Sequence, residues 1–170
     1  GEPIVCDCDD ASQVDGNLLL ELTEEQQAFS FRNVSDQPIP SLLRGFSAPV
    51  SLETDLSEQQ LATLWACDTD PFNRWQSGQN LGIKLIRALA EDWHAGRDLG
   101  VNDDYAKTWA RLLVDRDCEP GLLAELLLLP DEPALSEGLS LIDIDGHLAA
   151  RDFLLQQLAA GNRSELLKRY

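Results

Sequence analysis

Between Val34 and Trp75 the chain changes character, and that change limits what it can fold into. Pro38, Pro40 and Pro49 punctuate the stretch. Proline cannot donate to a ladder, so no central strand runs through it. Upstream, apolar residues alternate or run in short blocks, as in strands. Downstream, from Ser57 on, they recur at helical spacing. The expectation is an α+β chain: a partial antiparallel β-sandwich over 1–52, then an all-α solenoid or bundle of helical hairpins over 53–170.

Residues 3–8 alternate, with Ile4, Cys6 and Cys8 on one side, which predicts a half-buried strand. Residues 9–17 hold turn chemistry ending in Asp15-Gly16-Asn17. Leu18–Leu22 reads as a strand buried on both sides, residues 28–34 as a third, and Ser47–Leu52 as a last one. These are too few strands to close a sandwich.

The helical half opens on a capping box, Ser57 with Gln60 three residues on. Asp70-Pro71 is a stronger start, because Asp accepts unpaired N–H groups and Pro at the first position lacks one. A long helix is expected from Phe72 to Ala95. Asn102 or Asp103 caps a third, and Pro120 opens a fourth, over Leu122–Leu129. Residues 133–135 make a short turn of helix or a loop. Asp145 caps a fifth helix over Gly146–Ala160, and Ser164–Tyr170 starts another. Short connections favour antiparallel pairs, and no repeat of fixed period is visible.

Composition enters through charge. The 30 acidic and 13 basic residues leave −17, and residues 1–52 hold 9 of those acids and 2 of those bases. Both parts are acidic, which argues against nucleic acid and anionic membrane as partners. The longest apolar run, Leu122–Leu129, is interrupted by Glu125 and falls well short of the ~20 residues of a membrane span. Gly1-Glu2-Pro3 lacks the basic start of a signal peptide, and a first residue other than Met suggests a processed start with sequence upstream. Four cysteines without a regular framework read as reduced thiols in a cytoplasmic protein.

Candidate chemistry is sparse. His94 and His147 are the only histidines, and neither sits in a metal-ligand or catalytic motif. Helix-end hydrogen bonding accounts for both. Cys6-Asp7-Cys8 offers two thiols where zinc requires about four ligands, so burial as small hydrophobes is favoured. Asp68, Asp70 and Asn73 lack the glycine and distal glutamate of a calcium loop. Arg74 stands in a first helical turn, where the dipole disfavours a cation, which calls for a carboxylate or carbonyl partner of structural purpose. Gly45, after Leu42-Leu43-Arg44 and before Phe46, is expected to hold a positive φ. No catalytic, cofactor-binding or metal-ligating residue is assigned.

Two segments, Pro40-Ser41-Leu42-Leu43-Arg44-Gly45-Phe46-Ser47-Ala48-Pro49-Val50 and Asp70-Pro71-Phe72-Asn73-Arg74-Trp75-Gln76-Ser77-Gly78-Gln79, resemble the bacterial aminopeptidase N (alanyl aminopeptidase) zinc metallopeptidases. Residues 22–31 and 142–151 are similar to further family segments. Ile144 stands where the family often has Pro, and Ser77 where it often has Ala. The resemblance implies the late strands of a small Ig-like sandwich and the first helices of a helical C-terminal domain. It places the zinc-binding His-Glu-x-x-His motif upstream. The family's Gly-x-Met-Glu-Asn motif has no counterpart in a chain without methionine.

The resemblance implies a non-catalytic, structural interdomain piece of an enzyme that removes N-terminal residues from peptides, with zinc in the parent enzyme and none here. Its partners would be the remaining domains, with peptide substrate bound only by the whole enzyme. Open strand edges, and a groove lined by Leu154, Leu155, Leu158 and Leu166, would favour self-association. The alternative is an independent acidic interaction module without enzymatic activity.

Overall fold

A computed structural model describes residues 4, 6–34 and 36–169. The readings at Pro3, Val5 and Tyr170 lie outside these. Chain contacts divide the molecule into two units, Gly1–Pro40 and Ser41–Tyr170.

In the first unit, β1 (Ala11–Val14) and β2 (Asn17–Leu20) pair antiparallel, with Ala11 opposite Leu20 and Val14 opposite Asn17. Asp15 and Gly16 turn the hairpin, both at positive φ (48° and 79°), as a two-residue turn matched to strand twist requires. The Asp-Gly pair thus converts residues 11–14 from the expected turn into a strand. An isolated bridge joins Asp7 to Arg32. The strands expected over 3–8 and 28–34 reduce to that bridge among the described residues. Leu18–Leu22 is not buried on both sides: Leu19 is 40% exposed and Leu22 70%.

In the second unit, Ser47–Leu52 forms no strand, and Val50 and Leu52 lie exposed. Pro49 removes a donor in the middle of that segment. The helices come next: α1 (Glu58–Cys67), α2 (Pro71–His94), α3 (Asp103–Val114), α4 (Pro120–Leu127), α5 (Glu132–Ser136), α6 (Ile144–Gly161) and α7 (Arg163–Arg169). The chain is α+β, as expected.

The helix starts carry the expected caps. Ser57 and Gln60 close a capping box on α1, Asp70 caps α2 and Asn102 caps α3. In α6 the cap is Asp143, two residues before the expected Asp145, and its side chain accepts from Gly146 N–H. α2 is the central element and packs chiefly against α1 and α6. Their shared core holds Leu61, Trp65, Leu81, Ile86, Leu89 and Leu154, all nearly inaccessible. Gly78 lets α1 and α2 approach: a Cβ there would stand 2.6 Å from Trp65 Nε1.

The stretch from the end of α4 to the end of α5 is fastened by side chains that reach its carbonyls. Trp65 Nε1 donates to Leu126 O (3.1 Å), Trp109 Nε1 to Leu127 O (3.1 Å) and Gln79 Nε2 to Leu128 O (3.0 Å). Arg151 Nε donates to Pro130 O and Arg87 Nε to Leu135 O. Carbonyls left unpaired at a helix end are thereby satisfied from neighbouring helices.

Candidate functional site

The residues singled out at the junction converge on the first turn of α2. A tight turn over Arg44–Phe46 is laid against it, with Leu43 (φ 54°), Gly45 (φ 62°) and Phe46 (φ 56°) all in the left-handed region. Glycine holds that conformation without cost; Leu43 and Phe46 do not. Such strain persists only where surrounding contacts over-determine the backbone.

Those contacts are specific. Arg44 Nη1 donates to Asp68 Oδ1 (2.7 Å) and Ser41 Oγ (2.9 Å), and Nη2 to Thr69 Oγ1 (2.7 Å). The Asp68 side chain is 2% exposed. Gly45 N–H donates to Asp70 Oδ2 (3.0 Å), while Asp70 Oδ1 accepts from Asn73 N–H (3.0 Å). Asn73 Nδ2 returns to Ser41 Oγ and Leu42 O. Asp70 therefore caps the helix with one oxygen and holds the turn with the other. Partial burial opposes its charge, yet the Asn73 and Gly45 N–H groups and the Arg44 guanidinium hold its carboxyl below the usual range. Phe46 and Phe72 rings pack with centroids 4.5 Å apart, and Phe72 leads on to Trp75 at 5.7 Å.

Arg74 has the partners its position called for. Nε donates to Trp65 O (3.0 Å) and Nη2 to Ala66 O (3.1 Å), at the C-terminal end of α1, with Asp115 at 3.5 Å. Negative helix-end carbonyls on one side offset the unfavourable dipole on the other. Arg44 takes Asp68 Oδ1, the Gly45 and Asn73 N–H groups take Asp70, and Asn73 reaches Ser41 and Leu42, while Asp68 Oδ2 is buried without a hydrogen-bond partner among the described residues.

The histidines lie elsewhere and apart from this turn. His94 Nε2, at the end of α2, meets Asp143 at 2.8 Å, and that hydrogen bond is the chief cause of the lowered Asp143 pKa. His147 Nδ1, on a residue 2% exposed, meets Glu132 at 3.0 Å. The Glu132 carboxyl is held down first by Ser136 and then by His147. Each histidine joins two elements, α2 to the cap of α6, and α6 to α5. Cys6 and Cys8 are half-buried rather than core residues, and line a 340 Å³ cavity of the first unit with Asp7 and Arg32. Burial as small hydrophobes accounts for only part of their surface.

Among the described residues no three His, Cys, Asp or Glu side chains are placed to hold a metal ion. The family's zinc does not fit this donor set, since each histidine reaches a single carboxylate. No described helix is long and apolar enough to cross a membrane. The arrangement around Arg44 can fix backbone; it has no nucleophile–base pair among its contacts. Gly45 and Asp70 are marked in the sequence; Asp68 and Thr69 as the partners of Arg44 are not. The available signal was an Asp-Thr-Asp run directly before a Pro-led helix, with more acceptors than one cap consumes.

Comparison with known proteins places the chain. A family model described as a domain of unknown function (DUF3458_C) with ARM repeats matches residues 58–170, and one described as DUF3458 with an Ig-like fold matches residues 3–55. Aminopeptidase N of Caulobacter vibrioides is 38% identical over 161 residues, and that of Escherichia coli K12 35% over 154, each match covering 91% of this chain. Aminopeptidase N of Haemophilus influenzae is 32% identical over 161 residues. The chain spans 18% of the length of each of these relatives. A crystal structure of Legionella pneumophila aminopeptidase A in complex with aspartic acid shares the fold, with a TM-score of 0.68 at 24% identity, covering 97% of this chain and 20% of that one. The chain belongs to the DUF3458_C family of ARM-repeat domains, preceded by its Ig-like DUF3458 companion, and corresponds to a part of bacterial aminopeptidase N.

Proposed function

We propose that this chain is a non-catalytic structural part of a zinc-dependent metallopeptidase, a hydrolase that removes N-terminal residues from peptides in the cytoplasm. The observation that carries the reading is the pairing of 35–38% identity across nine-tenths of the chain with a span of 18% of those relatives. In this reading residues 1–52 belong to the Ig-like domain and 53–170 to the helical domain; family matches over 3–55 and 58–170 support that division. Zinc, catalytic residues and peptide substrate belong to other domains of the parent, which are this chain's partners. Its own contribution is rigidity: the Arg44–Asp68–Asp70 network anchors the start of α2, the helix on which the helical unit is assembled.

The alternative, an independent acidic module, has the −17 charge in its favour. Self-association through apolar edges belongs to the same open set. The groove read in the sequence for it is not formed, because Leu154 and Leu158 are in the core and Leu166 is partly buried against it; of the four only Leu155 is exposed.

The test is direct. Purified tag-free chain is expected to release no product from aminoacyl p-nitroanilides and to retain no stoichiometric zinc by elemental analysis. One tightly held zinc per chain, or turnover removed by a chelator, would overturn the reading. An upstream His-Glu-x-x-His in the encoding reading frame separates the parent-enzyme reading from the independent module.

A further inference from the structure

An aspartate followed by glycine is prone to rearrange its own backbone, because glycine leaves the attacking amide nitrogen unshielded. The chain holds two such pairs, Asp15-Gly16 and Asp145-Gly146. Their surroundings differ. Asp15 and Gly16 are both exposed and lie outside the ladder, which ends on Val14 opposite Asn17. A Cβ on Gly16 would meet nothing within 4 Å, so the space around its nitrogen is open. The strands that the pair joins are four residues each, and a hairpin that short opens readily. Asp145-Gly146 stands instead in the first turn of α6. Gly146 is buried, and its N–H donates to Asp143 Oδ1 at 3.0 Å. One turn further on, Ala150 and Leu154 fix the helix in the core, both at 0% exposure.

We propose that Asp15 is a site of spontaneous isoaspartyl formation, and that the fold withholds the same reaction from Asp145. Gly16 N attacks Asp15 Cγ, and the new C–N bond closes a succinimide ring. One water leaves, made of the carboxyl hydroxyl and the amide proton. Water then adds at the ring carbonyl that was the Asp15 backbone carbonyl, and the bond from that carbon to Gly16 N breaks. The main chain now runs through Cγ, and the free carboxylate stands on Cα. No oxidant, cofactor or enzyme is consumed. The turn is one carbon longer, and a two-residue turn fixes the register of the strands it joins. Conversion therefore loosens β1 against β2. In α6 the ring requires a ψ that a helical residue does not hold, and it requires Gly146 N–H to leave Asp143.

The test holds the whole chain at neutral pH for several days, folded and in urea. Isoaspartate is read by methylation with labelled S-adenosylmethionine and an isoaspartyl carboxyl methyltransferase, then assigned to a site by peptide mapping. In the folded chain, conversion is expected at Asp15 and at a level lower by about tenfold or more at Asp145. In urea the two sites should convert alike. Asp15→Glu, which would have to close a larger ring, should remove the label from the turn peptide. Chain converted at Asp15, separated from the parent, should show weaker hydrogen-exchange protection of β1 and β2 amides. Equal conversion of the two sites in the folded chain, no conversion at Asp15, or the same excess of Asp15 in urea would overturn the proposal. Label persisting in the turn peptide of Asp15→Glu would do so as well, and unchanged protection after conversion would overturn the loosening of the hairpin.

Discussion

Gly45 sits at φ 62° with its N–H on Asp70, between Leu43 and Phe46, which hold the same left-handed conformation as non-glycine residues. A Cβ at this point meets nothing within 4 Å, so the cost of adding one is conformational. Gly45→Val should therefore lower stability by about 1–3 kcal/mol. An unchanged urea midpoint would show that the turn relaxes freely. Asp70 carries a pH signature. Its folded-state pKa lies below the unfolded value of about 3.9, so it stabilises the fold at higher pH and loses that contribution as pH falls through the folded value. The stability gap between parent and Asp70→Asn, measured by urea denaturation, should be present at pH 7 and shrink below about pH 4. A gap constant down to about pH 3 would exclude Asp70 as a charged anchor. These residues were legible in part. Asp70-Pro71 announces a cap and Gly45 a turn, whereas Asp68 lies 24 positions from Arg44 and only the folded backbone brings them to 2.7 Å.

At the level of elements, helices were readable and strands were not. A helix is specified by local signals, and Ser57, Asp70 and Asn102 each mark a start within the few residues that form it. A strand is completed by a neighbour that its own residues do not name. Residues 28–34 and Ser47–Leu52 have strand-like composition but lack a ladder here, while residues 11–14 gain one through the Asp15-Gly16 turn. The α1–α2 pair rests on Gly78, whose position against Trp65 leaves no space for a side chain. Trp65 is 1% exposed and tied to Leu126 O, so it cannot yield. Gly78→Val should cost about 1–3 kcal/mol through overpacking. A thermal midpoint equal to the parent's would mean that α1 shifts without penalty.

For the whole molecule, two units of unequal build share one chain. Among the described residues the first holds a hairpin of four-residue strands and one bridge; the second holds the buried core from Leu61 to Leu158. A unit of about 40 residues rarely has enough core to be stable alone. Native-state hydrogen exchange should accordingly find amides of β1 and β2 exchanging far faster than those of α2 and α6. Equal protection in both would show that they open together.

The row of carbonyls from Leu126 to Leu135 has an optical consequence. Two of the chain's four tryptophans, Trp65 and Trp109, donate their indole N–H to neighbouring carbonyls of that row. Both rings are nearly inaccessible, at 1% and 6%. Their emission is thus governed by whether one strip of backbone stays seated on α1 and α3. Light from these two rings reports the seating of α4, an element that contributes no tryptophan of its own.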